Sequence, residues 1–146
     1  MEPDAAEGIQ AINRMSFLLD TDICSAHFKG NRLVTARFLQ YTGQLYLSTI
    51  VCGELYTWVA RKAAPLSRLQ SFNDLLIEAH VLDIDQSVAT KFGQVRAGLF
   101  DHGLNVSEMD LLIAATALVH DLTLVTHNIA DYVKVPGLRL VDWLVP

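Results

Sequence analysis

A chain of 146 residues, 51% hydrophobic with a mean hydropathy of +0.29, holds enough apolar side chain for one packed domain and excludes a disordered chain. Its formal net charge of −5 excludes a generic nucleic-acid coat, which would be basic overall. An enzyme acting on nucleic acid through a local basic patch stays open. Charges break the apolar runs well short of the ~20 residues a membrane span needs. The acidic first residues lack the basic and apolar regions of a secretory signal. Cys24 and Cys52 form no CxxC pair, which argues against a disulfide or zinc site and points to the reducing cytoplasm. The five histidines show no HxxxH or HExxH spacing and read as surface or loop groups.

Residues 1–14 read as an N-terminal extension to a domain spanning 15–146. The extension is either unstructured or a short helix over 3–13, and Met15 is a candidate initiator. Ser16, Phe17, Leu18 and Leu19 form a continuous run suited to a strand buried on both faces of a parallel sheet. Asp20 falls where that strand stops. Thr21 or Asp22 is placed to cap a helix over 23–28, and Gly30 turns the chain into a second helix over 32–41. A strand over 45–48 follows, then a helix over 50–61 capped by Ser48 or Thr49. Pro65 opens a helix over 66–78, and these two helices predict a protruding αα-hairpin carrying Trp58 and Phe72. A strand over 81–84 leads, through Asp85 as cap, to a long helix ending near Phe100. The helix over 107–120 is apolar nearly all round and predicts burial. Strands over 123–126 and 138–141 close the pattern, with a short loop or helix at 128–132 between them. Strands alternating with helices predict an α/β fold, a three-layer α/β/α sandwich around a mainly parallel sheet.

Ligands of open α/β sheets bind just past the carboxyl ends of the strands. Asp20 lies there, and Asp22 is the better-spaced cap for the next helix. Val51, Glu54, Leu55 and Trp58 share one helical stripe, so Glu54 sits on or beside apolar surface. A carboxylate there is costly unless it is paired, binds a cation or reaches water. Ser107 through Asp110 fit a capping box, an ordinary structural role for Asp110 that is compatible with a second one. Asn128 and Asp131 follow the fourth strand, where an asparagine also turns a chain for purely local reasons. Taken together, Asp20, Glu54, Asp110 and the Asn128/Asp131 pair sit at strand ends or helix starts. In a parallel sheet these lie on one edge. Such oxygen donors suit a hard divalent cation, and phosphodiester hydrolysis is the chemistry such a site serves.

With these stretches in view, the chain resembles a PIN-domain ribonuclease of the VapC toxin type. The likeness runs over 17–22 (FLLDTD), 48–55 (STIVCGEL), 109–117 (MDLLIAATA), 124–128 (LVTHN) and 135–143 (VPGLRLVDW). The resemblance implies an endoribonuclease with Asp20, Glu54 and Asp110 as acids around Mg2+, for which Mn2+ is a possible substitute. Asp20 and Asp110 would be the direct ligands, with Glu54 helping through water or as a further ligand. Thr126 is similar to the family's hydroxyl residue that orients a ligand or water. Asn128 stands where the family has a fourth acid, which would weaken a second metal unless Asp131 or substrate supplies oxygen. Val106-Ser107 stands where many relatives have Gly-Pro. The resemblance further implies a homodimer and a small antitoxin protein whose C-terminal segment enters the active-site groove.

Lys29, Arg32, Arg37, Arg61, Lys62, Arg68, Lys91 and Arg96 are available to grip RNA phosphates, although scattered bases are commonly plain solvated surface. Two other readings compete. Asp20-Thr21-Asp22 is also similar to the nucleophile motif of haloacid-dehalogenase-type phosphatases, but no late Asp-Asp metal motif appears. A non-catalytic PIN-like scaffold that binds RNA or a partner finds its only support in the missing fourth acid.

Overall fold

The computed structural model describes residues 15–146, so the readings of 1–14 lie outside the described residues. The elements in chain order are β1 (Phe17–Leu19), α1 (Thr21–Phe28), α2 (Arg32–Gln40), β2 (Leu45–Ser48), α3 (Thr49–Ala60) and α4 (Leu66–Glu78). Then come β3 (His80–Leu82), α5 (Gln86–Asp101), α6 (Glu108–Val119), β4 (Thr123–Val125), α7 (Ile129–Tyr132) and β5 (Leu140–Val141). The sheet order is β3-β2-β1-β4-β5, with every pairing parallel. This is the α/β sandwich that the alternation of strands and helices predicts.

β1 is the central strand, and its short apolar run is buried throughout, as a strand covered on both faces must be. The chain moves from β1 outward through β2 to β3, then crosses back to lay β4 on the other side of β1. That reversal makes a switch point between β1 and β4, where crossover connections leave in opposite directions and a crevice opens. Phe17, Leu18 and Leu19 stand opposite Thr123, Leu124 and Val125, and the Asp20 amide donates to the Val125 carbonyl at 2.9 Å. The two strands therefore end level with one another.

α6 buries Leu111, Ile113, Ala114, Ala115, Thr116 and Ala117, as its all-round apolar sequence predicts. Alanines let it approach neighbouring elements closely, and it packs along α5. Cys24 and Cys52 are both buried free thiols. The α3–α4 hairpin is joined through Ala63 at a φ of 62°. Arg68 ties it together by donating to the Trp58 carbonyl at 3.1 Å and lying 5.1 Å over the Trp58 ring. Among the described residues no helix is long and apolar enough to cross a membrane.

The structure corrects one local expectation that bears on the site. α1 starts at Thr21, so neither Thr21 nor Asp22 is its cap. Asp20 itself is extended (φ −78°, ψ 161°) and its Oδ1 accepts from the Thr21 amide at 2.8 Å. Asp22 lies in the first turn and is engaged elsewhere. β3 and β5 are shorter than the predicted 81–84 and 138–141: β3 pairs from His80 but stops at Leu82 because residues 83–85 turn into the α5 cap, and β5 pairs only from Leu140.

Candidate active site

Asp20 is carried out of the sheet by β1, yet only 7% of its surface is exposed. Its Oδ1 is held by the Thr21 amide and its Oδ2 accepts from Thr126 Oγ1 at 2.8 Å. Thr126 follows β4 directly and is wholly buried, and its hydroxyl oxygen in turn accepts from the Asn128 amide at 3.0 Å. The carboxylate is thereby fixed in orientation by both neighbouring strands. Burial pushes the Asp20 carboxyl up to about 6 from 3.8, and the negative charges of Asp22 and Asp110 push the same way. The bonds from Thr126 and Thr21 hold the shift back.

Asp110 stands in the first turn of α6. Its amide donates to the capping Ser107 hydroxyl at 3.3 Å, while its carboxylate faces away from that cap. Oδ1 of the carboxylate accepts from the Tyr132 hydroxyl at 3.1 Å. The Ser107 half of the capping box forms, while the carboxylate that would complete it takes its place at the acidic edge. Glu54, half-buried on α3, accepts from Thr21 Oγ1 at 2.9 Å. Thr21 thus links two acids: its amide holds Asp20 and its hydroxyl holds Glu54.

Asn128 and Asp131 are turned toward each other, with Asn128 Nδ2 donating to Asp131 Oδ2 at 3.0 Å. Asp131 also faces Lys134 at 3.7 Å. The side-chain bonds of this pair run between its own members and Lys134, and none reaches Asp20 or Asp110. Asp22 accepts from the His127 amide at 3.0 Å through Oδ2, and its Oδ1 is buried without a hydrogen-bond partner. Burial raises the Asp22 carboxyl too, against the pull of the His127 amide.

Two residues of this constellation escaped the sequence reading. Thr21 was visible only as a candidate cap, though a hydroxyl between two acids is a natural bridge. Tyr132 looked like the end of a short helix. A tyrosine buried deep in a domain needs a partner for its hydroxyl, and that requirement was the available signal.

No lysine or arginine pairs with Asp20, Glu54 or Asp110 among the described residues. Arg96, a candidate phosphate contact, is paired with Glu108 at 2.8 Å. Arg68 is occupied by Trp58, and Arg37 donates to Gln40 at 2.9 Å. Lys29 lines a groove of about 620 Å³ with Asp22, Ser25 and Asn31. A carboxylate raised first by burial, with other carboxylates pushing the same way and no cation paired with it among the described residues, is a site short of positive charge, and its donors are all oxygen. That chemistry fits a hard divalent cation. Among the described residues no three His, Cys, Asp or Glu side chains close into a ready-made metal cage. An open arrangement of a few carboxylates suits an ion that keeps several waters and completes its sphere with substrate oxygens.

An all-parallel sheet with acids gathered at its switch point defines the class, and residues 17–137 match the family described as PIN domain. The chain belongs to the PIN-domain family, on its VapC-type branch. It is 32% identical over 130 residues to the tRNA(fMet)-specific endonuclease VapC of Salmonella typhimurium, covering 88% of this chain and 98% of that one. It is 30% identical over 131 residues to ribonuclease VapC2 of Haemophilus influenzae, covering 89% and 99%. Among solved structures, DNA-bound VapBC from Salmonella typhimurium superposes with a TM-score of 0.83 at 32% identity, over 88% of this chain and 98% of that chain. FitAcB from Neisseria gonorrhoeae gives 0.77 at 26%, over 89% and 99%. PIN-domain nucleases are divalent-metal enzymes, in keeping with the donor set here.

Proposed function

We propose that this chain is the endoribonuclease toxin of a toxin–antitoxin pair, working with Mg2+ at Asp20 and Asp110. The observation that carries the reading is the uncompensated carboxylate cluster at the β1–β4 switch point, buried at Asp20 and joined to Glu54 through Thr21. Mg2+, or Mn2+ in its place, would supply positive charge against the phosphate and lower the pKa of a water nucleophile. The protein's own part is orientation. Thr126 and the Thr21 amide fix the Asp20 carboxylate, and Glu54, held by Thr21, is the carboxylate that polarises water. Water gives up a proton as it adds at phosphorus, the bond to the leaving ribose oxygen breaks, and that oxygen takes up a proton in turn, so the count of protons is unchanged. Asn128 and Asp131 act as auxiliary groups that shape the edge around Thr126.

The name of the Salmonella relative makes tRNA(fMet) the first substrate to try, and the VapBC and FitAcB structures favour a small antitoxin as partner. We assign it to the bacterial cytoplasm as a homodimer. The phosphatase alternative is disfavoured by the PIN-domain match over 17–137 and by the lack of a late Asp-Asp metal motif.

The test is RNA cleavage by purified Asp20→Asn and Asp110→Asn proteins, with folding checked by circular dichroism. Both should lose Mg2+-dependent cleavage, and EDTA should abolish it in the wild type. Folded variants that cut as well as wild type would remove the site assignment, and EDTA-resistant cleavage would remove the metal. Phosphate release from small monoesters would favour the phosphatase.

A further inference from the structure

α7 is only four residues long, but it places the largest fully buried side chain in the domain against the acidic site. The Tyr132 ring is 0% exposed, and the backbone around it is pinned by the Val135 amide donating to the Tyr132 carbonyl at 3.0 Å. Its hydroxyl donates to Asp110 Oδ1 at 3.1 Å and also lies within reach of the Asp20 carboxylate. Burial first, then the charges of Asp20 and Asp110, hold the phenol well above its usual pKa.

A phenol has one proton and can donate it to one oxygen at a time. The two acids differ in how much else holds them. Asp20 is anchored at both oxygens, by Thr21 and Thr126. Asp110 has a backbone cap behind it, and its carboxylate is held at Oδ1 by Tyr132. The last torsion of an aspartate is soft, so this one bond decides which oxygen faces the site. With Oδ1 held, Oδ2 is the oxygen free to take a ligand. A phenylalanine would fill the same space and leave that torsion loose.

We propose that Tyr132 is a positioning residue whose hydroxyl orients the Asp110 carboxylate opposite Asp20 and so sets the site's affinity for a divalent cation. The inference rests on the reading of Asp20 and Asp110 as the cation's ligands. α7 thus contributes a phenol to the site, while its capping residue Asn128 is turned aside to Asp131.

The test is Tyr132→Phe in the full chain, read by Mn2+ binding in electron paramagnetic resonance and by Mg2+-induced thermal stabilisation. Removing a partner that orients a ligand costs about tenfold or more in metal affinity. The expected result is a folded protein that binds Mn2+ about tenfold more weakly. The Mg2+ concentration for half-maximal RNA cleavage should rise by a similar factor, with kcat recovering at saturating Mg2+. In the wild type, Mg2+ should perturb the tyrosine ultraviolet difference spectrum, and this measurement stands even if the variant is poorly folded. Unchanged Mn2+ affinity in a folded Tyr132→Phe protein overturns the proposal, as does a silent tyrosine spectrum. If Asp20→Asn and Asp110→Asn lose Mn2+ while Tyr132→Phe keeps it, only the role of Tyr132 falls. If those two bind Mn2+ normally, the ligand assignment falls and takes Tyr132 with it.

Discussion

The two ends of β4 treat negative charge in opposite ways. Just before the strand, Asp121 is met by Arg139: Nη1 reaches its carboxylate at 2.6 Å and Nη2 its carbonyl at 2.6 Å. The Arg139 Nε adds a longer bond to Thr123 at 3.4 Å. Just after the strand, Thr126 donates to Asp20, whose nearest charged influences are Asp22 and Asp110, both negative. One strand three residues long thus separates a neutralised acid from a cluster of bare ones. The scaffold had the means to neutralise an acid and did so where the charge only joins β4 to β5. At the switch point the chain offers no such partner, and on the proposed reading a cation from solution would supply it.

The largest expected effect comes from Asp20→Asn, which should move activity and stability in opposite directions. Cleavage should fall on the order of a hundredfold or more, since on the proposed reading Asp20 holds the cation, and such a ligand contributes several kcal/mol to the transition state. The stability of the metal-free protein should rise. The Asp20 carboxyl titrates near 3.8 when unfolded and about 6 when folded, so the folded state holds the proton more tightly. Its contribution is most favourable below 3.8, declines as pH climbs to about 6, and is a constant penalty above that. At 1.36 kcal/mol per unit the penalty is of order 2–3 kcal/mol at neutral pH. Urea melts at pH 7.5 without metal should show the variant as the more stable protein, with the gap closing by about pH 4. Added Mg2+ should reverse the order, because only the wild type then gains binding energy. The same protonation competes with cation binding, so the Mg2+ concentration that wild-type cleavage needs should rise as pH drops through about 6. A wild type that is the more stable at pH 7.5 without metal would mean that the acid end is not strained by its charge.

The contrast between the two ends also marks where sequence reading stops. Local signals survive: β2 and α4 keep the limits that Gly43 and Pro65 announce. Ser48 caps α3 by accepting from the Val51 amide at 3.2 Å, and Asp85 caps α5 by accepting from the Val88 amide at 2.9 Å. The gathering of acids on one edge was readable because a parallel sheet puts all strand ends on one side. The bonds that organise those acids were not. Thr21 meets Glu54 from another helix, and Tyr132 meets Asp110 from beyond the next strand. The first depends on β2 being laid beside β1 and the second on α6 and α7 flanking β4, and no spacing rule along the chain encodes either. Asp20 as its own helix cap escaped for a different reason. Asp22 has the better local spacing, but its carboxylate is drawn away by the His127 amide after β4.

A middle-sized effect should come from the link between acids. Thr21→Val keeps the amide that holds Asp20 and removes the hydroxyl that holds Glu54. Cleavage should drop by about tenfold, the lower end of what loss of an orienting partner costs. Glu54→Gln should give a similar or larger loss, and combining the two should add little, because they disable the same link. Full additivity in the double variant, measured as kcat/KM on one RNA, would show that Thr21 and Glu54 act independently.

The smallest effect belongs to the neutralised end. Arg139→Met removes the guanidinium and keeps much of the aliphatic length. Both partners are partly open to solvent, at 36% and 41% side-chain exposure, so screening limits what the pair contributes. The geometry is tight, with two nitrogens on Asp121, and Asp121 also carries a positive φ of 55° that the pair helps to hold. A loss of about 1 kcal/mol in urea unfolding is expected, with high salt shrinking the difference. Cleavage and Mn2+ affinity should stay at wild-type values, because among the described residues the hydrogen bonds of Arg139 go to Asp121 and Thr123 and not toward Thr126. If Arg139→Met instead weakens Mn2+ binding, β4 transmits strain from one end to the other. The two ends would then be one electrostatic system and their opposite treatment of charge a shared constraint.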